Sequence, residues 1–293
     1  MVRVIATLFI ACLLALTITG CSNSAHSTTL ARSQIVVDKT LSAIAQVKSY
    51  KLDTDFTDVS GFTEWQGTRV VDVPDKEMAM NMEITMGPSP SLNVSDEMYF
   101  TNGQEYLKTV SEGNFPQTVG WTKRNLVDDV WDQQTQIPFL TELLKTASKI
   151  SSMETEQLNN VNCYVLTITP SAQASADFVL SQGQPGGPGF FSIDVEGGWM
   201  ITADLYNAGS IKLWISQDDY LPLKVEAEFD FKQAKGNLPV DTAPSKVINN
   251  YHNELEFSDY NQPIAIQLPQ DALSARNVGY DKTENNEVIQ FYG

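Results

Sequence analysis

The side chains able to do chemistry are few. The chain holds two histidines and three cysteines in 293 residues. His26 lies in a polar stretch near the start and His252 on the polar side of an alternating segment. No histidine pair stands at metal-ligand spacing, so a zinc centre is not expected. A serine or cysteine nucleophile would need His252 as its base, and nothing in the sequence sets one beside it. Cys163 sits in the apolar run 161–168, where a thiol is usually buried and inert. The acidic pairs Asp128-Asp129 and Asp218-Asp219 read as solvated turns. Asp53, Asp55 and Asp58 lack the glycine and glutamate of a calcium loop. Gly186-Gly187 has no following lysine or helix, so it makes no phosphate loop. The expectation is a protein that is not an enzyme and carries no metal or cofactor.

One pattern has a functional edge. Met78, Met80, Met82, Ile84 and Met86 alternate with Ala79, Asn81, Glu83 and Thr85, so four of the eight methionines share one face of one strand. Methionine is unbranched and polarizable and fills irregular spaces. Such a face either lines a cavity for flexible acyl chains or packs as plain core against helices, and the sequence leaves both open.

The first residues do not belong to the fold. Arg3 precedes an almost unbroken apolar run over residues 4–18, too short to span a bilayer comfortably, which takes about 20 residues. The run ends in Ile18-Thr19-Gly20-Cys21, which resembles the lipobox of bacterial lipoproteins. That resemblance implies cleavage before Cys21 and lipid on its thiol. The expected organisation is a signal peptide over 1–20, a flexible tether over 21–29, a folded domain over 30–269 and a tail over 270–293. The protein would lie outside the cytoplasm, lipid-anchored to the bacterial cell membrane. After cleavage Cys163 is the one remaining thiol, so no internal disulfide can form. The net charge of −17, which becomes −18 when Arg3 leaves, repels phosphate backbones and argues against nucleic acid.

The elements that must position these residues are mostly strands. Leu30, Val37, Leu41 and Ile44 follow a helical period over 30–48. After Tyr50 the period becomes two: Tyr50, Leu52, Thr54 and Phe56 alternate with Lys51, Asp53, Asp55 and Thr57. Strands are expected at 69–73 and 78–86, a hairpin at 98–108 turning on Asn102-Gly103, and a short strand at 120–125. Pro138 opens a second helix whose apolar face is Phe139, Leu140, Leu143, Leu144, Ala147 and Ile150. Strands resume at 161–169. A short helix is expected over 171–182 within an insertion covering 171–199 that contains a Gly/Pro-rich loop. Strands are then read at 199–206 and 210–216, joined through Asn207-Ala208-Gly209. They are followed by the alternation Leu223, Val225, Ala227, Phe229, Phe231 and a last long strand at 247–257. Short turns between consecutive strands favour an antiparallel meander. The fold class is mainly β (α+β): a curled antiparallel half-barrel of about 10–11 strands with helices covering the concave face.

At this level the chain resembles the LolA-like lipoprotein superfamily, and within it the LppX/LprG type of lipid-binding lipoproteins. The likeness covers most of 30–269. It rests on LSAIAQVKSY at 41–50, on 120–125 with the helix from Pro138, on WISQDDYLPLKVE at 214–226, and on ELEFSDYNQPIAIQLP at 254–269. It implies a half-barrel whose cavity holds acyl chains. The candidate lining is Met78, Met80, Met82, Ile84 and Met86 from the strand, Leu41, Ile44, Leu140, Leu143 and Leu144 from the helices, and Phe229. The implied partners are a lipid or acyl-chain ligand, the membrane through the Cys21 anchor, and an envelope protein, with the chain a monomer. The competing reading is an envelope-stress sensor or protein-interaction module with a closed interior.

Overall fold

The computed structural model describes residues 22–58, 63–86, 92–112, 117–126, 128–146, 149–182, 206–232 and 248–278. The stretch read as a signal peptide, Cys21, the Gly/Pro-rich loop and the end of the stretch read as tail lie outside the described residues.

A single twelve-stranded sheet dominates. In chain order the strands are β1 (Ser49–Asp58), β2 (Thr63–Asp72), β3 (Glu77–Met86), β4 (Leu92–Thr101), β5 (Gln104–Glu112), β6 (Gln117–Asn125), β7 (Ile150–Leu158), β8 (Val161–Ile168), β9 (Tyr206–Ser216), β10 (Pro222–Lys232), β11 (Ile248–Ser258) and β12 (Arg276–Asn277). The helices are α1 (Ser22–Ile44), α2 (Asp128–Thr135), α3 (Ile137–Thr146) and α4 (Ala172–Gln182). The spatial order is β12-β6-β5-β4-β3-β2-β1-β11-β10-β9-β8-β7. Two meanders, β1 to β6 and β7 to β11, therefore join through the antiparallel pairing of β1 with β11. The sheet is open, as in a curled half-barrel, with β7 at one end. The short β12 adds the one parallel pair, beside β6.

The strands form where apolar and polar residues alternate. In β1, Tyr50, Leu52, Thr54 and Phe56 are buried, while Lys51, Asp53, Asp55 and Thr57 are half-buried or exposed. The hairpin turns carry the residues that left-handed backbone requires. Asn102 and Gly103 have φ of 52° and 70°, and Asn159 and Asn160 between β7 and β8 have 51° and 67°. The polar face is laced by exposed contacts such as Lys51 with Asp53 at 2.9 Å and Gln66 with Asp55 at 3.0 Å. The apolar face carries one continuous core, from Tyr50 and Leu52 through the methionines to Phe229 and Phe231.

The helices pack on that core. Leu140, Leu143 and Leu144 of α3 are all buried, and each contributes about 1.5–3 kcal/mol through burial. Phe139 and Phe178 lie 4.6 Å apart, and Phe178 meets Phe229 at 5.5 Å, so α3, α4 and β10 share one aromatic contact. Ser33, Val36, Val37, Thr40 and Ile44 form the buried stripe of α1, with Leu41 half-buried. Lys39 donates to Tyr220 at 3.0 Å and pins α1 to the β9–β10 turn.

Several expectations need correction. The helix α1 starts at Ser22, inside the stretch read as a tether, because no glycine or proline interrupts residues 22–44. Asp128 opens a helix rather than a turn; its carboxylate lies at the positive end of α2 and pairs with Lys76 at 2.6 Å. Helix α3 ends at Thr146, and Ile150 begins strand β7 instead of extending the helical face. Asn207-Ala208-Gly209 is not a turn but part of β9, near its start. Gly209 is needed there because the ring of Phe229, directly across the strands, would lie 2.5 Å from an added Cβ. The described strands number twelve, the last only two residues long, in keeping with the expected half-barrel of about 10–11, and a 3-10 turn at Gln270–Ser274 lies in the stretch read as tail.

Leu140 is fully buried in the centre of the roof. Its replacement by alanine should cost about 2–5 kcal/mol, measured as a lower urea midpoint with an unchanged slope.

Candidate functional site

The concave face of the sheet is the candidate site. The register lays its residues out in rows across the strands. One row runs Phe257, Leu52, Arg69, Met80, Met98, Leu107. The next runs Val225, Leu255, Thr54, Gly67, Met82, Asp96. A third runs Ala227, Asn253, Phe56, Trp65, Ile84, Val94. Met78, Met80, Met82 and Ile84 are buried and point away from water, as do Ile44, Leu140, Leu143, Leu144 and Phe229. All of them, with half-buried Leu41, belong to one connected core. The side chain of Met86 lies outside the described residues, and so does Cys21.

Sequence reasoning missed the polar members of this face. Arg69 is 2% exposed and Asn253 2%, in rows otherwise filled with aliphatic, aromatic and thioether groups. The Arg69 guanidinium donates to the Met80 sulfur at 3.2 Å and to Thr54 Oγ1 at 2.9 Å. Both acceptors are neutral. Desolvation is the main cause that lowers its pKa to about 10, opposed by the nearby Tyr50. Asp96 is also buried, and burial pushes its pKa up to about 6 despite a hydrogen bond from Thr109. One Asp96 oxygen, both polar atoms of the Asn253 amide and the Trp65 indole N–H have no hydrogen-bond partner. Buried polar groups are nearly always paired, so such a cluster calls for a reason.

Polar contacts tie the roof to the sheet. The Tyr50 hydroxyl donates to the backbone carbonyl of Thr135 at the end of α2, and Lys76 holds Asp128 at its start. The link between α2 and α3 passes through Gln136 at φ 61°, a left-handed position that turns the chain back across the sheet.

The convex face offers different chemistry. A hollow of about 490 Å³ lies there, lined by Asp53, Asp55, Glu83, Glu254, Glu256 and their polar neighbours. Its carboxylates make it unfit for an apolar ligand. Beside it, Glu226, Glu228 and His252 place one ligand atom each within 4.8 Å of one another. Glu228 and His252 are direct cross-strand partners, which explains the approach. These three could hold a metal ion, although the sequence had suggested none. Cys163 is buried in a small convex cluster with Val165 and Trp214, and burial raises its pKa.

Asp96 sets a pH dependence. Its folded pKa lies above the unfolded value, so the folded chain binds the extra proton between about pH 4 and about pH 6. Stability should fall as pH rises through that window, by on the order of 3 kcal/mol, and stay low above it. Asp96→Asn should remove that slope in urea titrations run from pH 4 to pH 7.

No family model matches the chain, and no curated protein matches it. Among the solved structures similar to it are two mycobacterial proteins. One is LprF from Mycobacterium bovis, at 12% identity, covering 81% of this chain and 97% of that one with a TM-score of 0.44. The other is the lipoprotein LppX from Mycobacterium tuberculosis, at 14% identity, covering 80% and 97% with a TM-score of 0.41.

Proposed function

We propose that this protein is an extracytoplasmic lipoprotein that binds a lipid or acyl chain between the concave face and the helical roof, as a carrier or chaperone. One observation carries the reading. The concave face combines a stripe of buried methionines with polar atoms that the protein leaves unpaired. Methionines adapt to flexible chains of varying shape, and each buried CH2 of a ligand is worth about 0.8 kcal/mol. The described side chains meet across this face, so a ligand enters by displacing the roof. Two of the polar ties of α2 are the Tyr50 hydroxyl and an exposed ion pair, the latter worth little.

The anchoring half of the proposal rests on the sequence Ile18-Thr19-Gly20-Cys21. No helix among the described residues is long and apolar enough to cross a membrane. Lipid on Cys21 then supplies the attachment, and two or more acyl chains hold firmly where one holds marginally. Cells fed an alkyne-bearing fatty acid should label the wild-type chain, while Cys21→Ser should lose the label and leave the membrane fraction. Persistent labelling of the serine variant would refute the anchor.

The binding half is tested by native mass spectrometry of the full chain. Co-purified or added acyl ligands should appear as adducts. Met82→Trp, which fills the centre of the face beside Gly67, should cut adduct occupancy several-fold while circular dichroism stays unchanged. Absence of any acyl adduct from the wild type would refute the carrier reading.

A further inference from the structure

We propose that Arg69 seats the anionic head of the bound amphiphile, a carboxylate or phosphate oxyanion whose chains run along the methionine face; this rests on the lipid-binding reading above. Arg69 stands in the middle of β2, and β2 stands inside the sheet, between β1 and β3. Its cross-strand partners on the concave side are Leu52 and Met80. Among the described residues no carboxylate pairs with it. Its two hydrogen bonds, to a thioether and a hydroxyl, use two of the five N–H donors a guanidinium offers. A cation so buried is normally paired or bound to an anion, because desolvation alone is costly. The guanidinium fork matches a carboxylate or phosphate edge with two parallel hydrogen bonds.

The surroundings fit such a head. Nε bonds straight across to Met80 on β3, and Nη1 bonds diagonally to Thr54 on β1. The group thus spans β2 next to Gly67, over which the flexible Met82 side chain packs. Thr54 and the Tyr50 hydroxyl stand near as polar neighbours, and Met80, Met82 and Met98 continue the face as apolar surface for chains. Asp96, the acidic group of the neighbouring row, sits two strands away from Arg69 and makes no ion pair with it.

The test compares heads on one chain. The full-length protein, kept soluble in an amphipathic polymer, is titrated with 11-dansylaminoundecanoic acid, with its methyl ester and with a dansyl-labelled phosphatidic acid. The free acid should bind about ten-fold tighter than the ester, equivalent to about 1.4 kcal/mol. Tighter binding of phosphatidic acid than of the fatty acid would assign the seat to a phosphate head, and the reverse to a carboxylate. Arg69→Met, which keeps the volume and removes the charge, should bring acid and ester to equal affinity, and Arg69→Lys should keep part of the preference. Equal affinity of acid and ester in the wild type would overturn the anion seat and leave lipid binding standing. Failure of all three probes to bind would overturn lipid binding itself. The wild-type comparison needs no variant to fold.

Discussion

The fold depends on one topological constraint. The chain leaves the sheet at β6, near one edge, and re-enters at β7, the opposite edge. To do so it must cross the full width of the concave side, and the residues that cross are α2 and α3. A crossing segment over an apolar sheet must be apolar beneath and hydrogen-bonded within itself, which a pair of helices satisfies. The roof is therefore the connection between two meanders rather than an addition to a finished domain. The pairing of β1 with β11 then closes the two meanders into one sheet. Its register sets Thr54, Phe56 and Leu52 of β1 beside Leu255, Asn253 and Phe257 of β11, so both halves contribute to the same concave rows.

The same alternation that curls the sheet sorts its charge. Glu226, Glu228, His252, Glu254 and Glu256 all project from the convex face, opposite the buried phase of β10 and β11. The chain carries 36 acidic residues against 19 basic ones, so this face is repulsive to an anionic bilayer or a polyanion. An apolar or anionic ligand finds no seat there. Whatever the protein holds of that kind must be held on the inner side, where charge has been almost wholly removed.

The sequence announced the strands well where one face alternates cleanly, as in 50–57, 78–86 and 223–231. It announced the Asn102-Gly103 turn because left-handed backbone selects those residues. It failed where a residue type has two physical uses. Gly209 looked like a turn and instead makes room for the Phe229 ring within a strand. Asp128 looked like a solvated turn and instead opens a helix. Ile150 fitted a helical period by chance, and β7 around it is too polar to show an apolar alternation. The polar half of the site left a fainter signal. Arg69 falls in phase with Trp65 and Val71, Asp96 with Val94 and Met98, and Asn253 with Tyr251 and Leu255. A polar residue on the apolar phase of a strand is easily passed over as noise in the pattern. Only the register shows that the three come from rows of one enclosed face.

Those three residues set this interior apart from an ordinary core. Stability alone would favour aliphatic groups at 69, 96 and 253, since a buried pair or lone charge is often improved by an apolar isostere. Each partnerless buried polar atom costs about 1–3 kcal/mol relative to a satisfied one, and this face carries them on Asp96, Asn253 and Trp65 together. A core that tolerates this loss in several adjacent rows departs from local consistency, and such departures concentrate at functional sites. The methionines around them act in the same direction, because they allow the interior to reshape without a large packing penalty. A rigid aliphatic interior would hold the roof shut. An adaptable one with unmet polar groups gains free energy when a molecule with a polar head and flexible chains takes the space beneath the helices.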